Sequence, residues 1–409
     1  MSVPSFGGIR LIDDERGPLL CGAAFSLDRA SRGDGVVTVG EFTFEVRSRA
    51  RILVARGGTG STYEVARDSA LRRAHEALDL LSMHGVDDLA VNGVEDDHVA
   101  WWPTPEGLAV RVVSIAPFGI RIRAELTVTN ASGQLEPPSP RAPVSWHPSF
   151  RFFRSSQASA DLFDAFRNGF LALESILSSI AAQRTGSPAE GDSAWFRRAL
   201  TAAEQIIPLS AYVPHGTPDP VAFLHQDLYR ETRSATFHAK TGRTVLLPGD
   251  EADRPAVAAS LDRLARLYLA LAEAHLGVRR PRSSISQPAF REMSTATLDG
   301  MTVVASDDES PFDAADVAVN PGGGRVIALP NVRPSDAAVP FLAARLAWAS
   351  AADLASLGFI RRAAGVSPDG ATMLASVLEE RLLLGSAARF EVLMGMRYRG
   401  DGIRTQFTT

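Results

Sequence analysis

"DLYRETRSATFHAKTGR", residues 227–243, decides how this chain reads. It holds the one lysine among 42 lysines and arginines, and it sets Arg233 and His238 five residues apart in a stretch of helical character. Packing alone does not call for an arginine, a serine, a histidine and a lysine in one short run. Just upstream, Asp219 can accept from free backbone donors, and Pro220 stands where its missing N–H is harmless. A helix is therefore predicted from Pro220 to near Gly242.

Around that helix the same periodicity recurs. Leu162, Phe163, Phe166, Phe170, Leu173, Ile176, Leu177 and Ile180 form a broad apolar stripe over 159–184. A second helix is predicted over 193–207, after Asp192 and before Pro208. Another runs over 253–277, with Val257, Leu261, Leu264, Leu267, Leu271 and Leu276 inward. The expectation is an up-and-down four-helix bundle over 150–278. Two breaks frame it: "EPPSPRAPVSWHPS" (136–149) carries five prolines, and "RRPRSSISQP" (279–288) is basic and Ser-rich. The fold class expected is multidomain α+β: an α+β domain over 1–135, the linker 136–149, the bundle, a linker over 279–289, and an α+β domain over 290–409.

In the first domain "GEFTFEVRS", "RILVA", "HVAWW", "LAVRVVSIA" and "GIRIRAELTVTN" have the branched, alternating character of strands. Between them "TYEVARDSALRRAHEALDLLSMHG" reads as a helix closed by Gly85. The last domain reads as strands in "MTVVAS" and "GRVIALP", two Ala/Leu-rich helices, and a hairpin around Gly400–Gly402.

A chain of 409 residues, 45% hydrophobic and 22% charged, is long enough for several domains and ordinary in composition for a globular protein. The single Cys21 excludes a disulfide framework or a cysteine-built zinc site and suits a reducing cytosol. No apolar run reaches membrane-span length, no secretory pattern opens the chain, and a cytoplasmic location is expected. Net charge is −5, which argues against a general nucleic-acid coat. Residues 150–290 nevertheless carry 16 basic and 14 acidic side chains, making this the one net-positive third.

Arg followed four to six residues later by His is weak as a bare pattern; about two chance matches are expected in such a chain. Arg141 and His147 are a second match, but they lie in the proline-rich linker. Context favours Arg233 and His238: Ser234 follows the arginine, Tyr229 precedes it by one turn, and Glu174 lies in "FLALESIL" on the first helix. "LYRETRSATFH" and "FRFFRSSQASADLFDAFRNGFLALESIL" resemble the HEPN superfamily of helical ribonucleases, in the Apea-like and large uncharacterised bacterial branches, some members of which are labelled methylamine-utilisation accessories. The resemblance covers 150–278. It departs from the pattern at Ala239, where many members have glycine.

The chemistry stands on its own terms. Metal-independent RNA cleavage needs a proton carrier near neutrality, which histidine is, and a fixed charge for the phosphorane, which arginine supplies as a planar fork. Five helical residues span about 140° and roughly 7.5 Å, so the two side chains do not meet easily on one helix. The resemblance implies a homodimer whose paired helices share a basic cleft. In that reading Ser234 orients His238, and Arg230, Lys240 and Arg243 hold RNA phosphates. No cofactor and no metal is expected, a role in defence or stress is implied, and the flanking domains are left to bind an unidentified regulatory partner or ligand. Two other readings stay open: a non-catalytic module binding RNA, a nucleotide or a protein, and a scaffold in a metabolic pathway. A helix ending in His and Lys also suits the helix dipole with no chemistry at all.

Other signals are weaker. "ARGGTGS" (55–61) lacks the lysine of a phosphate-binding loop and reads as a turn. "EDDH" (95–98) reads as a solvated hairpin tip, "NPGGGR" (320–325) as a loop, Trp101 and Trp102 as core, and His225 as a packed or surface histidine.

Overall fold

The computed structural model describes residues 3–12, 20–92, 96–118, 145–159, 161–186, 188–237, 245–247, 250, 252–278, 287–311, 319–335 and 341–398. Residues 3–118 together with 287–398 form one compact unit, and residues 145–278 form another. In chain order the first unit begins with β1 (Ser5–Phe6), β2 (Ile9–Arg10), β3 (Cys21–Ser26), β4 (Gly35–Val39), β5 (Phe42–Val46), β6 (Ile52–Gly58), α1 (Tyr63–Met83), β7 (Asp97–Thr104) and β8 (Gly107–Phe118). The second unit holds α2 (Pro148–Ala158), α3 (Leu162–Ile180), α4 (Asp192–Glu204) and a 3-10 turn (Leu209–Tyr212). There follow α5 (Pro220–Leu224), a π-helical stretch (His225–Arg233) and α6 (Ser234–Phe237) in immediate succession, then α7 (Arg254–Leu276). The first unit resumes with α8 (Gln287–Leu298), β9 (Thr302–Ser306), β10 (Val326–Ala328), β11 (Asn331–Pro334), β12 (Leu342–Ser350), β13 (Ile360–Val366), β14 (Thr372–Leu383) and β15 (Arg389–Tyr398).

Two sheets build the first unit. One has the order β10-β9-β13-β14-β1-β2, the other β11-β12-β15-β8-β7-β3-β6-β5-β4. Val99, Trp101, Val110, Val112 and Phe390 of the larger sheet meet Val303, Ala305, Ala363 and Leu382 of the smaller in one core. Alternate residues of the larger sheet, among them Phe25, Phe44 and Leu53, pack against Ala70, Ala74 and Ala77 of α1. Burial on both faces accounts for strands that read as nearly continuous apolar runs. β15 runs parallel to β8, with Phe390 opposite Val110 and Val392 opposite Val112. At Gly395 a Cβ would stand 2.3 Å from the Ala343 carbonyl oxygen, so this close approach of β15 to β12 needs glycine.

The expected fold class is corrected here. The protein is a mixed α+β fold with two large sheets, not a central four-helix up-and-down bundle flanked by separate N- and C-terminal domains. The flanks share the nine-stranded sheet, because β8 and β15 would each be an unpaired edge without the other. The Ala/Leu-rich stretches expected as C-terminal helices are β12 and β14. Helix propensity differs by only tenths of a kcal/mol per residue, roughly, and the nine-residue ladder of β12 on β15 outweighs it. "EDDH" is no solvated tip either: Asp96 and His98 are buried, and β7 begins at Asp97.

The helical unit departs from the expectation as well. α2 is a helix that the apolar stripe does not single out; it opens at Pro148, with His147 Nδ1 accepting from the Ser149 N–H. Asp161 separates it from α3 by accepting the Asp164 N–H at 2.8 Å. The predicted N-cap at Asp219 is present, accepting from the Ala222 N–H at 2.8 Å. The strand expected at 119–130, the linker residues 136–144 and 279–286, and the hairpin near 400–402 lie outside the described residues.

Candidate functional site

The opening motif lies on a backbone that widens. From His225 to Arg233 the helix is π-bonded, i to i+5, a rare conformation that is frequent at functional sites. Side-chain hydroxyls follow the carbonyls of this stretch. Ser234 Oγ donates to the Tyr229 carbonyl at 3.0 Å and Thr236 Oγ1 to the Thr232 carbonyl at 2.8 Å. Thr232 Oγ1 donates to Ser260 Oγ, and Ser260 donates to Asp227, which also pairs with Arg263 of α7. One face of the stretch is thus tied to α7.

A second face, packed against α3 and α4, carries His225, Tyr229 and Arg233 at four-residue intervals, the first two of them buried. The imidazole stacks on the Tyr229 ring with centroids 5.6 Å apart and planes at 10°. The Arg233 guanidinium carbon lies 4.7 Å from the Tyr229 ring centroid, 5.4 Å from that of Phe237 and 5.6 Å from that of Phe170. Arg233 Nε is buried and, among the described residues, has no hydrogen-bond acceptor. Among the described residues no carboxylate lies within 4.0 Å of this guanidinium. Several other arginines of the unit are ion-paired: Arg198 with Glu190 at 2.7 Å, Arg167 with Asp164 at 3.2 Å, Arg266 with Asp262 at 2.8 Å, and Arg263 with Asp227.

Glu174 of α3 is the carboxylate whose titration Arg233 touches. Burial pushes its carboxyl up, and the guanidinium only partly opposes this. Burial likewise raises the Tyr229 phenol, with Arg233 opposing and Asp192 and Glu174 reinforcing. His225 is pushed down by burial, then by Arg230 and Arg197, and its Nε2 stands 2.9 Å from Ser193 Oγ at the start of α4. An aromatic platform, a fixed cation and titratable groups beside it together can hold an anion and move protons.

Of the residues singled out by sequence, Arg233, Tyr229 and Glu174 come together. Arg230 is exposed on the same stretch. Ser234 gives its hydroxyl to a backbone carbonyl. His238, Lys240 and Arg243 lie outside the described residues. Ser193 and His225 were missed as members of the site. The four-residue spacing of His225, Tyr229 and Arg233 was a signal for His225; nothing local pointed to Ser193. Trp101 and Trp102 are buried in the first unit, away from any stacking role.

A second buried polar cluster sits in the first unit. Tyr63 Oη lies 2.7 Å from His98 Nε2, and Arg111 stands 4.2 Å over the Tyr63 ring while pairing with Glu391 at 2.6 Å. Among the described residues no group of three His, Cys, Asp or Glu side chains is placed to hold a metal, and no helix is long and apolar enough to cross a membrane. Comparisons with protein-family models, with curated proteins and with solved structures find no match for the chain.

Proposed function

We propose that the helical unit binds the RNA backbone at Arg233 and cleaves it without a metal, His238 moving the protons. The observation that carries this reading is the Arg233 guanidinium, held over Tyr229 with, among the described residues, no carboxylate within 4.0 Å and no acceptor for its buried Nε. A guanidinium N–H is a donor that an RNA phosphate oxygen can satisfy with a charge-assisted hydrogen bond. In-line attack by the 2′-oxygen forms the new P–O bond as the P–O5′ bond breaks, leaving a 2′,3′-cyclic phosphate and a 5′-hydroxyl. His238 takes the 2′-hydroxyl proton or delivers one to the 5′-oxygen. The raised Glu174 carboxyl is a second proton carrier on the same face. Because α6 turns the chain between Arg233 and His238, a homodimer sharing one cleft is part of the proposal. The resemblance around "LYRETRSATFH" adds support at the level of sequence.

A second reading, binding without cutting, is favoured by one observation: the Ser234 hydroxyl is committed to the Tyr229 carbonyl rather than left to orient a histidine. Incubating the purified chain with total RNA in EDTA separates the two. Cleavage that survives chelation and is lost in both Arg233→Ala and His238→Ala is expected. RNA binding without cleavage, unchanged by His238→Ala, establishes the second reading. No effect on RNA at all removes both and leaves the scaffold.

A further inference from the structure

We propose that Ser193 and His225 are positioning residues for Arg233, acting through the ring of Tyr229; this rests on Arg233 being the anion-binding group. The row is continuous. Ser193 Oγ is paired with His225 Nε2 at 2.9 Å, the imidazole lies parallel to Tyr229 at 5.6 Å, and the guanidinium carbon lies 4.7 Å from that same ring. His225 is only 8% exposed, so it acts on a surface-bound RNA through its neighbours rather than by contact.

The physical need for such a device follows from the π-electrons. A guanidinium is held by the negative face of an aromatic ring. An imidazolium stacked on Tyr229 would draw on the same electron density and repel Arg233. Burial, Arg230 on the same helical stretch and Arg197 on α4 all disfavour that cation. The neutral ring is then fixed in rotation by Ser193, which belongs to a different helix. Phe196 of α4 closes the remaining side, 5.4 Å from Tyr229 and 6.4 Å from His225. The first turn of α4 thereby sets where the arginine of the motif helix stands.

The test reads Arg233 directly. In the full chain labelled with ¹⁵N-arginine, the Arg233 Nε–H resonance is identified by its loss in Arg233→Lys. His225→Ala and Ser193→Ala should shift or broaden it, and His225→Phe, which keeps a flat ring against Tyr229, should restore it. The Arg263 resonance, anchored on Asp227, should stay in place in every variant and so reports an intact fold. In parallel, His225→Ala should weaken affinity for a short RNA by roughly three- to tenfold, and have no effect when Arg233 is already alanine. An Arg233 resonance indifferent to His225→Ala and Ser193→Ala overturns the proposal, as does an equal loss of affinity with and without Arg233. If the wild-type chain binds no RNA while the resonance still follows His225 and Ser193, the RNA reading fails and the positioning role stands.

Discussion

Replacing Arg233 with methionine separates a functional arginine from a structural one. Methionine keeps the apolar stem and deletes the guanidinium. On the debit side, the variant loses a cation over Tyr229 at 4.7 Å, an interaction of about 0.5–2 kcal/mol, largest where water is excluded; the rings of Phe237 and Phe170 lie farther, at 5.4 and 5.6 Å. On the other side, it removes a buried Nε–H that has no acceptor among the described residues, a group whose burial costs about 1–3 kcal/mol. The balance runs from a loss of about 1 kcal/mol to a gain of about 2 kcal/mol. Arg263→Met is the control. Its guanidinium and Asp227 are 16% and 17% exposed and bonded to each other, and breaking such a pair costs about 3 kcal/mol. Urea unfolding followed by circular dichroism at the helical band reads both. With a slope near 1.5 kcal/mol per molar for a unit of this size, Arg263→Met should lower the midpoint by about 2 M. Arg233→Met should move it by no more than about 1 M in either direction, while weakening RNA binding at least roughly tenfold. A loss for Arg233→Met as large as that for Arg263→Met refutes the reasoning, since the arginine would then be part of the scaffold.

Two further outcomes concern the first unit. Burial, with Glu379 and Asp96 adding, pushes the Asp97 carboxyl up to about 6. The folded state then holds a proton that the unfolded state has released between about pH 4 and pH 6, so this residue's contribution to stability falls as pH rises through that window. Asp97→Asn should flatten the slope there and stabilise the unit at pH 7 by at most about 3 kcal/mol, measured by urea titrations across pH; a slope unchanged in the variant counts against it. Glu391 is 3% exposed, with Arg111 Nη2 at 2.6 Å and Arg389 Nε at 2.8 Å. Glu391→Ala should cost about 3–5 kcal/mol, whereas Glu391→Met combined with Arg111→Leu should cost far less than the sum of the single changes. Additivity in tryptophan-monitored unfolding would show that the pair is not coupled.

Much of the architecture was legible locally. α1 follows from its apolar spacing and stops at Gly85, whose φ is +75°. The Asp219–Pro220 start and the strands β5 to β8 were equally plain, since a two-residue or 3.6-residue repeat is written in the chain itself. β12 and β14 were not. Their alanines and leucines favour helix in isolation, and only the ladders formed with distant strands reverse that preference.

Of the candidate site, the sequence by itself picked out the motif: Tyr229, Arg233 and His238 on one predicted helical run, with Glu174 on an earlier helix. Tertiary structure alone decided that Arg233 meets Phe170 of α3 and, among the described residues, no acid partner, and that Ser193 of α4 reaches His225. It also decided that the two ends of the chain share one sheet through β8 and β15. The reason is one of range. Propensity, capping and periodicity act within a few residues, whereas charge compensation and strand pairing depend on which remote segments the core brings within a few ångströms.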